Sequence, residues 1–398
     1  MPMVLTLNAG SSSVKFALFD AALDDGPAMA TGQIDGLASH AIFTARAAAT
    51  EKECFELSPA GRADHVRAVN AILEWIESRL AGRSVVAIGH RIVHGGPRHA
   101  TPLPIDDNLI EELRALTPLA PLHQPHNLQG VVAARAEFPH VPQVACFDTA
   151  FHRGHPFVTD AFAIPRHFYH EGVRRYGFHG LSYEYIAGCL RRIAPVEAAG
   201  KVIIAHLGNG ASLCAVRDGR SIASSMGFTA LDGLPMGTRC GQIDPGVLLY
   251  LMAEKGMDVH ALTDLLYNQS GLKGLSGLSS DMRDLQASDS REARETIDHF
   301  ILRTCRKIGS LVAALEGFDA IVFTGGIGEN SAAVRKGVLD RLRWLGLEPD
   351  DEANERGDTV ISSPACRARA FVIKTDEERM IARHTLEVTG LAGRSRAA

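Results

Sequence analysis

The chain alternates short apolar runs with polar, glycine-rich breaks, and two of its segments resemble each other. Residues 4–20 align without a gap with residues 202–218, at an offset of 198 in a chain of 398 residues. Each copy has a β-rich apolar run, a break of small residues, and a second apolar run that ends at an aspartate. This pattern predicts two strands joined by a tight turn, and its repetition half a chain later predicts a duplicated α/β domain.

Further strands and helices are predicted after each hairpin. Apolar runs typical of strands occur at 29–36, 41–47, 85–88, 143–147 and 319–324. Helical spacing of apolar residues runs from Val66 to Leu80 and from Ile297 to Leu315, and residues 392–398 are expected to fray. Because α/β sheets carry their chemistry just beyond strand ends, the polar residues that follow these strands form the candidate site.

Composition indicates an ordinary soluble protein of two or three domains, with 46% apolar residues, 22% charged residues and a net charge of −5. It excludes a coiled coil, a disordered chain and a disulfide-stapled miniprotein, and it gives no electrostatic reason to bind nucleic acid or an anionic membrane. Seven scattered cysteines without a Cys-x-x-Cys pair indicate reduced thiols. With no signal-peptide pattern or membrane-spanning segment, we expect a cytoplasmic protein.

Three breaks rich in glycine or serine follow predicted strands, at 8–15, 206–210 and 326–330. Their small side chains let backbone N–H groups and hydroxyls approach an anion, and Lys15 adds a positive charge. The alternative for the first break is an ordinary hairpin turn. Three such turns together favour a divided phosphate site.

The usual nucleotide-binding motifs are disfavoured. The Gly200-Lys201 pair is followed by valine rather than serine or threonine, so it does not complete a P-loop. Gly326-Ile-Gly328 lacks the third glycine of a dinucleotide-binding motif.

Arg91 and Arg239 each lie in a glycine-containing segment, and Arg91 is expected just beyond the strand at 85–88. A guanidinium group binds carboxylate or phosphate in a bidentate manner, although a solvated surface position is the alternative. Asp148 directly follows the strand predicted at 143–147. It is a candidate metal ligand, general base or helix N-cap, and these alternatives stay open.

Three histidine pairs raise the possibility of zinc: His90/His94, His123/His126 and His152/His155. None belongs to a His-Glu-x-x-His motif. The first pair adjoins a strand, where residues four apart do not converge as they do on a helix, so a structural role is favoured.

The motifs, in this order, resemble those of the acetokinase family of the acetate and sugar kinase, Hsp70 and actin superfamily, from Asn8 to about Glu378. They are Asn-Ala-Gly-Ser-Ser-Ser-x-Lys-Phe, Gly-His-Arg-x-Val-His-Gly-Gly, Ala-Pro-Leu-His, Phe-Asp-Thr-Ala-Phe-His, Arg-Tyr-Gly-Phe-His-Gly, His-Leu-Gly-Asn-Gly, Met-Gly-Thr-Arg and Gly-Ile-Gly-Glu-Asn.

The resemblance implies an α/β fold of duplicated actin/ribonuclease H-like domains, each a mixed sheet flanked by helices, with an active-site cleft between them. It implies an N-terminal domain over 1–150, completed by a C-terminal helix at 377–392. A C-terminal domain over 151–376 is expected to carry the nucleotide site and a dimer interface.

The implied activity is reversible phosphorylation of acetate to acetyl phosphate by direct in-line transfer from ATP, with Mg²⁺ or alternatively Mn²⁺, in a homodimer. The implied catalytic residues are Arg91, Asp148, His179 and Arg239, and the acyl contacts are Arg91, Val93, Leu122 and Phe178. The implied metal ligands are Asn8 and Glu377. The implied nucleotide contacts are Ser11, Ser13, Lys15, His206, Leu207, Gly208, Asn209, Gly210, Asp281, Met282, Arg283, Gly326, Ile327, Gly328, Glu329 and Asn330.

By this resemblance Arg91 binds the acetate carboxylate, while His179 and Arg239 stabilise the transition state. Acetate is already ionised at neutral pH, so no base is needed to deprotonate it. Asp148 is therefore expected to orient the metal ion or the acyl group.

The chain departs from the family pattern at four positions that matter for the site. Cys240 and Gln242 stand where the family has serine and aspartate, Ala230 replaces a proline, and Asp376 replaces an asparagine.

Two alternatives remain. A nucleotide-gated assembly or chaperone-like protein has the same superfamily fold, but the arginine pair argues against it. Propionate or butyrate kinase is the nearest alternative among kinases, and the first loop is more similar to acetate or propionate kinases than to butyrate kinases.

Overall fold

The computed structural model describes residues 2–10, 13–22, 26–37, 39–47, 51–57, 64–79, 82–121 and 123–391. The chain divides into two compact units, one formed by Met1–Arg153 with Asp376–Ala398 and the other by Gly154–Thr375. Within the described residues, no helix combines the length and the apolar character that crossing a membrane requires.

The strands of the first unit are β1 (Pro2–Ala9), β2 (Ser13–Asp20), β3 (Ala30–Asp35), β4 (Ile42–Ala47), β5 (Glu53–Glu56), β6 (Ser84–Ile92), β7 (Leu103–Pro104) and β8 (Gln143–Phe147). Those of the second unit are β9 (Lys201–Leu207), β10 (Ala211–Arg217), β11 (Arg220–Ser224), β12 (Ala320–Thr324) and β13 (Arg369–Val372).

The helices before residue 200 are α1 (His65–Arg79), α2 (Asp107–Ala115), α3 (Gln124–Glu137), α4 (Phe157–Asp160), α5 (Arg166–His170), α6 (Gly180–Ile193) and α7 (Pro195–Ala198). Those after it are α8 (Pro245–Lys255), α9 (Val259–Asn268), α10 (Gly271–Ser276), α11 (Met282–Ala287), α12 (Arg291–Leu315), α13 (Gly325–Asn330), α14 (Ala332–Arg341), α15 (Asp351–Arg356) and α16 (Glu377–Thr389). Short 3-10 helices lie at Thr117–Leu119, Ala150–His152 and Arg343–Leu345.

The two sheets share a common five-strand arrangement, to which the first sheet adds two strands on one side and one antiparallel strand on the other. The first is eight-stranded in the order β5-β4-β3-β2-β1-β6-β8-β7, and the second is five-stranded in the order β11-β10-β9-β12-β13. In each, an antiparallel meander continues into two further strands that run parallel to the first strand of the meander. The predicted fold class, a duplicated α/β domain with mixed sheets, is confirmed.

The hairpins of the two units differ by one residue in the turn. The last paired residues are Ala9 and Val14 in the first hairpin, but Leu207 and Ala211 in the second. Four residues of the sequence separate the last pair in the first hairpin, and three separate it in the second. The two sequences align without a gap, but the pairing register of the second hairpin is shifted by one residue relative to that of the first.

Alternating side chains of the first hairpin serve two layers. Leu5, Leu7 and Phe16 pack into the core beneath α1 and α3, whereas Val4 and Phe19 pack with Ala382 and Leu386 of α16. Because side chains alternate across a strand, Asn8 and Lys15, which face each other across the hairpin, continue the α16 face. This alternation places polar residues beside the start of α16.

Three local expectations were wrong. Strand β6 extends through Ile92, since His90 pairs with Leu7 and Arg91 with Cys146, so Arg91 lies within the strand. Helix α12 begins at Arg291, where Ser290 caps it, six residues earlier than expected. Residues 325–330 form a short helix, α13, rather than a turn. The expected frayed tail, 392–398, lies outside the described residues.

Candidate active site

The first cluster joins the ends of two neighbouring parallel strands, β6 and β8. Arg91 Nε donates to Asp148 Oδ1 at 3.0 Å and Nη2 donates to Oδ2 at 2.5 Å, while Nη1 donates to Asn8 Oδ1 at 3.3 Å. The Asp148 side chain is only 1% exposed. Glu377, the first residue of α16, places Oε2 at 3.8 Å from Arg91 Nε. Arg91 is thus the centre of this cluster.

Opposing charges dominate the electrostatics of the cluster. Burial disfavours the charged Arg91 guanidinium, but Asp148 and Glu377 outweigh it, so the pKa of Arg91 is raised. Burial raises the pKa of Glu377 against the attraction of Arg91, and Asp148 adds to the rise. Burial and the neighbouring Glu377 likewise raise the pKa of Glu378. Carboxylates exceed cations at this point, which favours a further cation.

Asp148 does not cap a helix. The 3-10 helix that follows β8 has Thr149 at its N-cap position, and both carboxylate oxygens of Asp148 accept from Arg91. The N-cap alternative is therefore wrong.

A buried amide that no motif indicated holds the first loop. Asn127 of α3 donates from Nδ2 to the carbonyl of Ala9 at 2.5 Å and accepts at Oδ1 from the Val93 amide at 2.9 Å. His65 Nε2 lies 2.8 Å from the Gly10 carbonyl. These bonds fix the chain on either side of the cluster, and Val93 is buried.

Lys15 lies in β2 of the first unit and lines a cavity of about 660 Å³ with Arg46, Lys52 and Glu378, among others. Ser13, another predicted nucleotide contact, begins β2. Ser11 and Leu122, which the resemblance also implied, lie outside the described residues.

In the second unit, His179 and Arg239 face one point. A Cβ added to Gly210 would lie 3.2 Å from His179 Nε2 and 3.1 Å from Arg239 Nη2. Arg239 Nη1 donates to the carbonyl of Ala230 at 2.7 Å, which anchors the guanidinium. Glycine at position 210 leaves space for a ligand atom between two nitrogen-bearing side chains.

His179 sits immediately before α6 in a left-handed backbone conformation, with φ of 59°. Its Nδ1 lies 2.8 Å from Ser212 Oγ, and its ring stacks on that of His206 with centroids 4.3 Å apart. His206 Nδ1 in turn lies 2.9 Å from Ser182 Oγ. The hydroxyls of two serines thus orient the imidazoles. Sequence reasoning missed both serines, because a serine in a strand or helix carries no motif.

A second cavity, of about 670 Å³, lies within the second unit and is large enough for a nucleotide-sized ligand. It brings together eight predicted nucleotide contacts and three residues that were not predicted. The predicted ones are Gly208, Asn209, Asp281, Met282, Arg283, Gly326, Ile327 and Asn330, and the additional ones are Ser280, Gln286 and Ser331.

Polar bonds shape the rim of this nucleotide-sized cavity. Gln286 Nε2 donates to Ser331 Oγ at 2.8 Å, and Asn330 Nδ2 donates to the Gly326 carbonyl at 2.9 Å. Asp281 accepts from the backbone and guanidinium of Arg283, and the side-chain bond lowers the pKa of Asp281 to about 2. The Arg283 side chain is 87% exposed.

The start of α13 is fixed by two features. Gly325 has φ of +77°, and a Cβ there would lie 2.8 Å from the Leu207 carbonyl, so only glycine fits. Glu329 Oε1 accepts from Gly325 N at 2.8 Å and from Thr375 N at 3.1 Å. Glu329, predicted as a nucleotide contact, thus binds backbone amides.

The C-terminal end of α13 rests on a buried arginine that no motif indicated. Arg335 is 2% exposed, and its Nη1 donates to the carbonyls of Gly328 and Glu329 at 3.0 and 2.8 Å. Its Nε and Nη2 donate to Asn354 at 2.7 Å each. Burial lowers the pKa of Arg335.

Several predicted contacts are less accessible. His206 is half-buried, whereas Leu207, Gly328 and Phe178 are buried.

Three of the four departures from the family pattern have local explanations. Gln242 Oε1 accepts from Lys307 Nζ at 3.2 Å, and its carbonyl accepts from Arg303 at 3.1 Å. Asp376 caps α16 by accepting from the Arg379 amide at 2.9 Å. Ala230 binds Arg239 through its carbonyl, which a proline also carries.

Both members of the first histidine pair make hydrogen bonds within the protein. His90 Nε2 lies 2.8 Å from Gln143 Oε1, and burial lowers the pKa of His90 to about 4. His94 Nδ1 accepts from the Gly96 amide at 2.8 Å, and burial lowers the pKa of His94 to about 3. Among the residues that the structure describes, no three histidine, cysteine or acidic side chains are grouped to hold a metal ion by themselves.

Comparison with known proteins agrees with this architecture. The model of the acetokinase family matches residues 3–383. Acetate kinase of Methylocella silvestris is 57% identical over 392 residues, covering 96% of this chain and 97% of the relative. Acetate kinase of Nitrobacter hamburgensis is 51% identical over 391 residues, covering 98% and 96%.

Solved structures give the same result. A propionate kinase from Francisella tularensis superposes with a TM-score of 0.91 at 37% identity, covering 98% of this chain and all of that one. Acetate kinase of Porphyromonas gingivalis superposes with a TM-score of 0.89 at 35% identity, with the same coverage. The chain therefore belongs to the acetokinase family and is a kinase that phosphorylates a carboxyl group.

Proposed function

We propose that the chain catalyses reversible transfer of the γ-phosphoryl group of ATP to acetate, giving acetyl phosphate and ADP by direct in-line transfer. The observation that carries this proposal is the arrangement of Arg91. Its guanidinium has five N–H groups, and three of its bonds go to Asp148 and Asn8, which leaves donors for a small anion. Arg91 is the residue we assign to the acetate carboxylate.

Asp148 supports this assignment as a positioning group. Acetate is ionised at neutral pH, so the reaction requires alignment and charge cancellation rather than a base. The two oxygens of Asp148 accept from Nε and Nη2 and therefore fix the plane of the guanidinium. The remaining acyl contacts proposed are Val93, Leu122 and Phe178.

His179 and Arg239 are proposed to stabilise the phosphoryl group in the transition state. Both face the space next to Gly210. Two unit charges of like sign 4 Å apart repel by about 4 kcal/mol at an effective dielectric constant of 20, so positioned donors are needed when two anions react.

ATP or ADP is proposed to occupy the nucleotide-sized cavity. Its walls include Gly208, Asn209 and Gly326, whose small or backbone groups allow close approach of phosphate, and Arg283, which is exposed beside it. Lys15, Ser11, Ser13, His206, Leu207, Gly210, Gly328 and Glu329 complete the proposed nucleotide contacts.

Mg²⁺ is the proposed metal, with Mn²⁺ as the alternative, and Asn8 and Glu377 are its proposed ligands. Their amide and carboxylate oxygens are the donors that hard divalent cations prefer, and Mg²⁺ is commonly held by one or two carboxylates together with substrate phosphates. The excess of carboxylates around Arg91 fits an added cation. When bound, the ion would neutralise phosphate charge.

A homodimer is proposed from helix α8. This helix lies wholly within the described residues and buries none of its eleven residues. Val247, Leu249, Tyr250 and Met252 expose 40–68% of their surfaces. We propose that a second copy of the chain covers this exposed face, because most soluble oligomers are symmetric assemblies of identical chains and dimers are the commonest of them.

We further propose that the two units are the two domains of the enzyme, with 1–150 and 377–392 in the first and 151–376 in the second. A cytoplasmic location is proposed as well. All seven cysteines are free thiols in the structure, which suits a reducing compartment.

Acetate-dependent formation of ADP tests the proposal. The purified chain with Mg-ATP should release ADP only when acetate is present, and 31P NMR should show acetyl phosphate. An equal rate of ADP release in water alone would contradict the proposed reaction and favour a nucleotide-gated protein instead.

A further inference from the structure

His179 belongs to a chain of hydrogen bonds that extends into the interior of the second unit. Its Nδ1 lies 2.8 Å from Ser212 Oγ on β10, and Ser212 Oγ is hydrogen-bonded to the hydroxyl of Tyr183 on α6. Ser212 and Tyr183 are both 0% exposed. The chain therefore runs from a buried phenol through a buried serine to the imidazole.

The other ring nitrogen faces the proposed reaction space. His179 Nε2 and Arg239 Nη2 are the side-chain atoms that a Cβ on Gly210 would meet, at 3.2 and 3.1 Å. A neutral imidazole carries its proton on only one nitrogen, so the partner of Nδ1 decides whether Nε2 donates or accepts.

The order of donors in the chain follows from acidity. A phenol, with a pKa near 10, is a better donor than an aliphatic hydroxyl. With the phenol of Tyr183 as donor to Ser212, Ser212, which has a single proton, donates to Nδ1 of His179. The imidazole proton is left on Nε2. The stacked ring of His206, 4.3 Å away, keeps the imidazole plane from rotating.

We propose that Ser212 and Tyr183 are positioning residues that hold His179 as the tautomer with its proton on Nε2, aimed at the phosphoryl group. This inference rests on the proposed function, because the phosphoryl group is assigned to the same space. With the opposite tautomer, Nε2 would present a lone pair to an anion and would repel it.

The kinetic test compares Ser212→Ala with His179→Ala. Loss of a single transition-state donor lowers kcat by roughly 100- to 1,000-fold, and we expect this for His179→Ala. Ser212→Ala should lower kcat by about 10- to 100-fold while the KM values of acetate and ATP change less than about threefold, because ground-state binding is unaffected. Tyr183→Phe should have a smaller effect, since Ser212 can still donate.

A double variant and a matched control separate positioning from general damage. His179→Ala combined with Ser212→Ala should be no slower than His179→Ala alone, because the two residues act as one unit. Ser225→Ala is the control: Ser225 is also buried, but its hydroxyl accepts from the Leu213 amide rather than contributing to the chain that ends at the imidazole. It should leave kcat within about twofold of wild type.

The tautomer can be read without activity. In the 15N spectrum of histidine-labelled wild-type protein, assigned by loss of signal in His179→Asn, Nε2 of His179 should resonate as a protonated nitrogen and Nδ1 as an unprotonated one. Ser212→Ala should produce a mixture of the two tautomers. Should Ser212→Ala fail to fold, the wild-type spectrum alone decides.

The outcomes distinguish the inference from the proposed function. A protonated Nδ1 in wild type, or full kcat in folded Ser212→Ala, would overturn the inference even when acetate is phosphorylated. Absence of acetyl phosphate in wild type would overturn the proposed function while the spectrum still tests the tautomer.

Discussion

Arg91 and Asp148 form a bidentate ion pair, in which Nε and Nη2 donate to the two carboxylate oxygens at 3.0 and 2.5 Å. The pair joins the carboxyl-terminal ends of β6 and β8, where Asn8 and Glu377 also lie. The carboxylate that determines how Arg91 is presented is nearly inaccessible to solvent. The pairing of β6 with β8 therefore fixes the orientation of the Arg91 guanidinium.

Replacement of the two arginines should affect different kinetic constants. Arg91→Ala removes a ground-state partner of the acetate carboxylate and should mainly raise the acetate KM, whereas Arg239→Ala should mainly lower kcat. Each change should cost about 2–4 kcal/mol of transition-state stabilisation, or roughly 30- to 1,000-fold in kcat/KM. Steady-state kinetics measure both, with Arg98→Ala, an exposed arginine, as control. Near-wild-type kcat/KM in either variant would remove that residue from the site.

Glu377→Gln should weaken the dependence on Mg²⁺, because a hard cation prefers a carboxylate to a neutral amide. We expect the half-saturating Mg²⁺ concentration to rise about tenfold or more. Glu387→Gln is the matched control, since Glu387 lies on the same helix with 68% of its side chain exposed. Identical magnesium titrations of wild type and Glu377→Gln would exclude this residue as a ligand.

Arg335→Met should damage both stability and nucleotide binding. The substitution leaves the carbonyls of Gly328 and Glu329 without their buried donors, at a cost of about 2–4 kcal/mol in the free energy of unfolding. Because these carbonyls close α13, the KM of ATP should rise while the KM of acetate stays near wild type. Urea denaturation and steady-state kinetics measure the two effects. Unchanged stability would show that α13 does not depend on Arg335.

His90 should make the protein sensitive to acid. Its pKa is about 4 when folded and 6.5 in the reference state, so the unfolded chain binds more protons between these values and stability falls as the pH falls through this window. His90→Gln removes this titration while an amide can still donate to Gln143.

The expected difference is measured by urea denaturation between pH 7 and pH 4. Over that range His90→Gln should lose about 3 kcal/mol less unfolding free energy than wild type. His140→Gln, at an exposed position, is the control and should follow wild type. Parallel stability curves for wild type and His90→Gln would contradict the buried, neutral state of His90.

The predictable part of the fold was local. Strand β8 and helix α1 follow apolar patterns that periodicity identifies, and the repeat identifies both hairpins. Helix α13 could not be predicted, because Gly325-Gly-Ile-Gly328 has the composition of a turn. Its helical form depends on Arg335 and Glu329, whose bonds to the backbone are set by tertiary structure.

The candidate site divides in the same way. Residues within glycine-rich motifs, such as Asn209 and Gly326, were identified from the sequence and line the nucleotide-sized cavity. Asn127, Ser212 and Arg335, which hold other groups of the site in place, occupy positions with no local pattern. Their importance depends on which backbone group or imidazole they contact, and only the folded chain defines those contacts.

Trapping of acyl phosphate with hydroxylamine tests the central claim most directly. In this assay, wild-type protein and Mg-ATP are incubated separately with each carboxylate from formate to valerate. We expect acetate to be a good substrate and to give hydroxamate. Propionate should follow within about tenfold in kcat/KM, which is the lower end of the roughly 10- to 200-fold discrimination that one methylene can provide. The same reaction without carboxylate should give neither hydroxamate nor ADP. Release of ADP without any acyl hydroxamate from acetate would contradict the assignment of this chain as a carboxylate kinase.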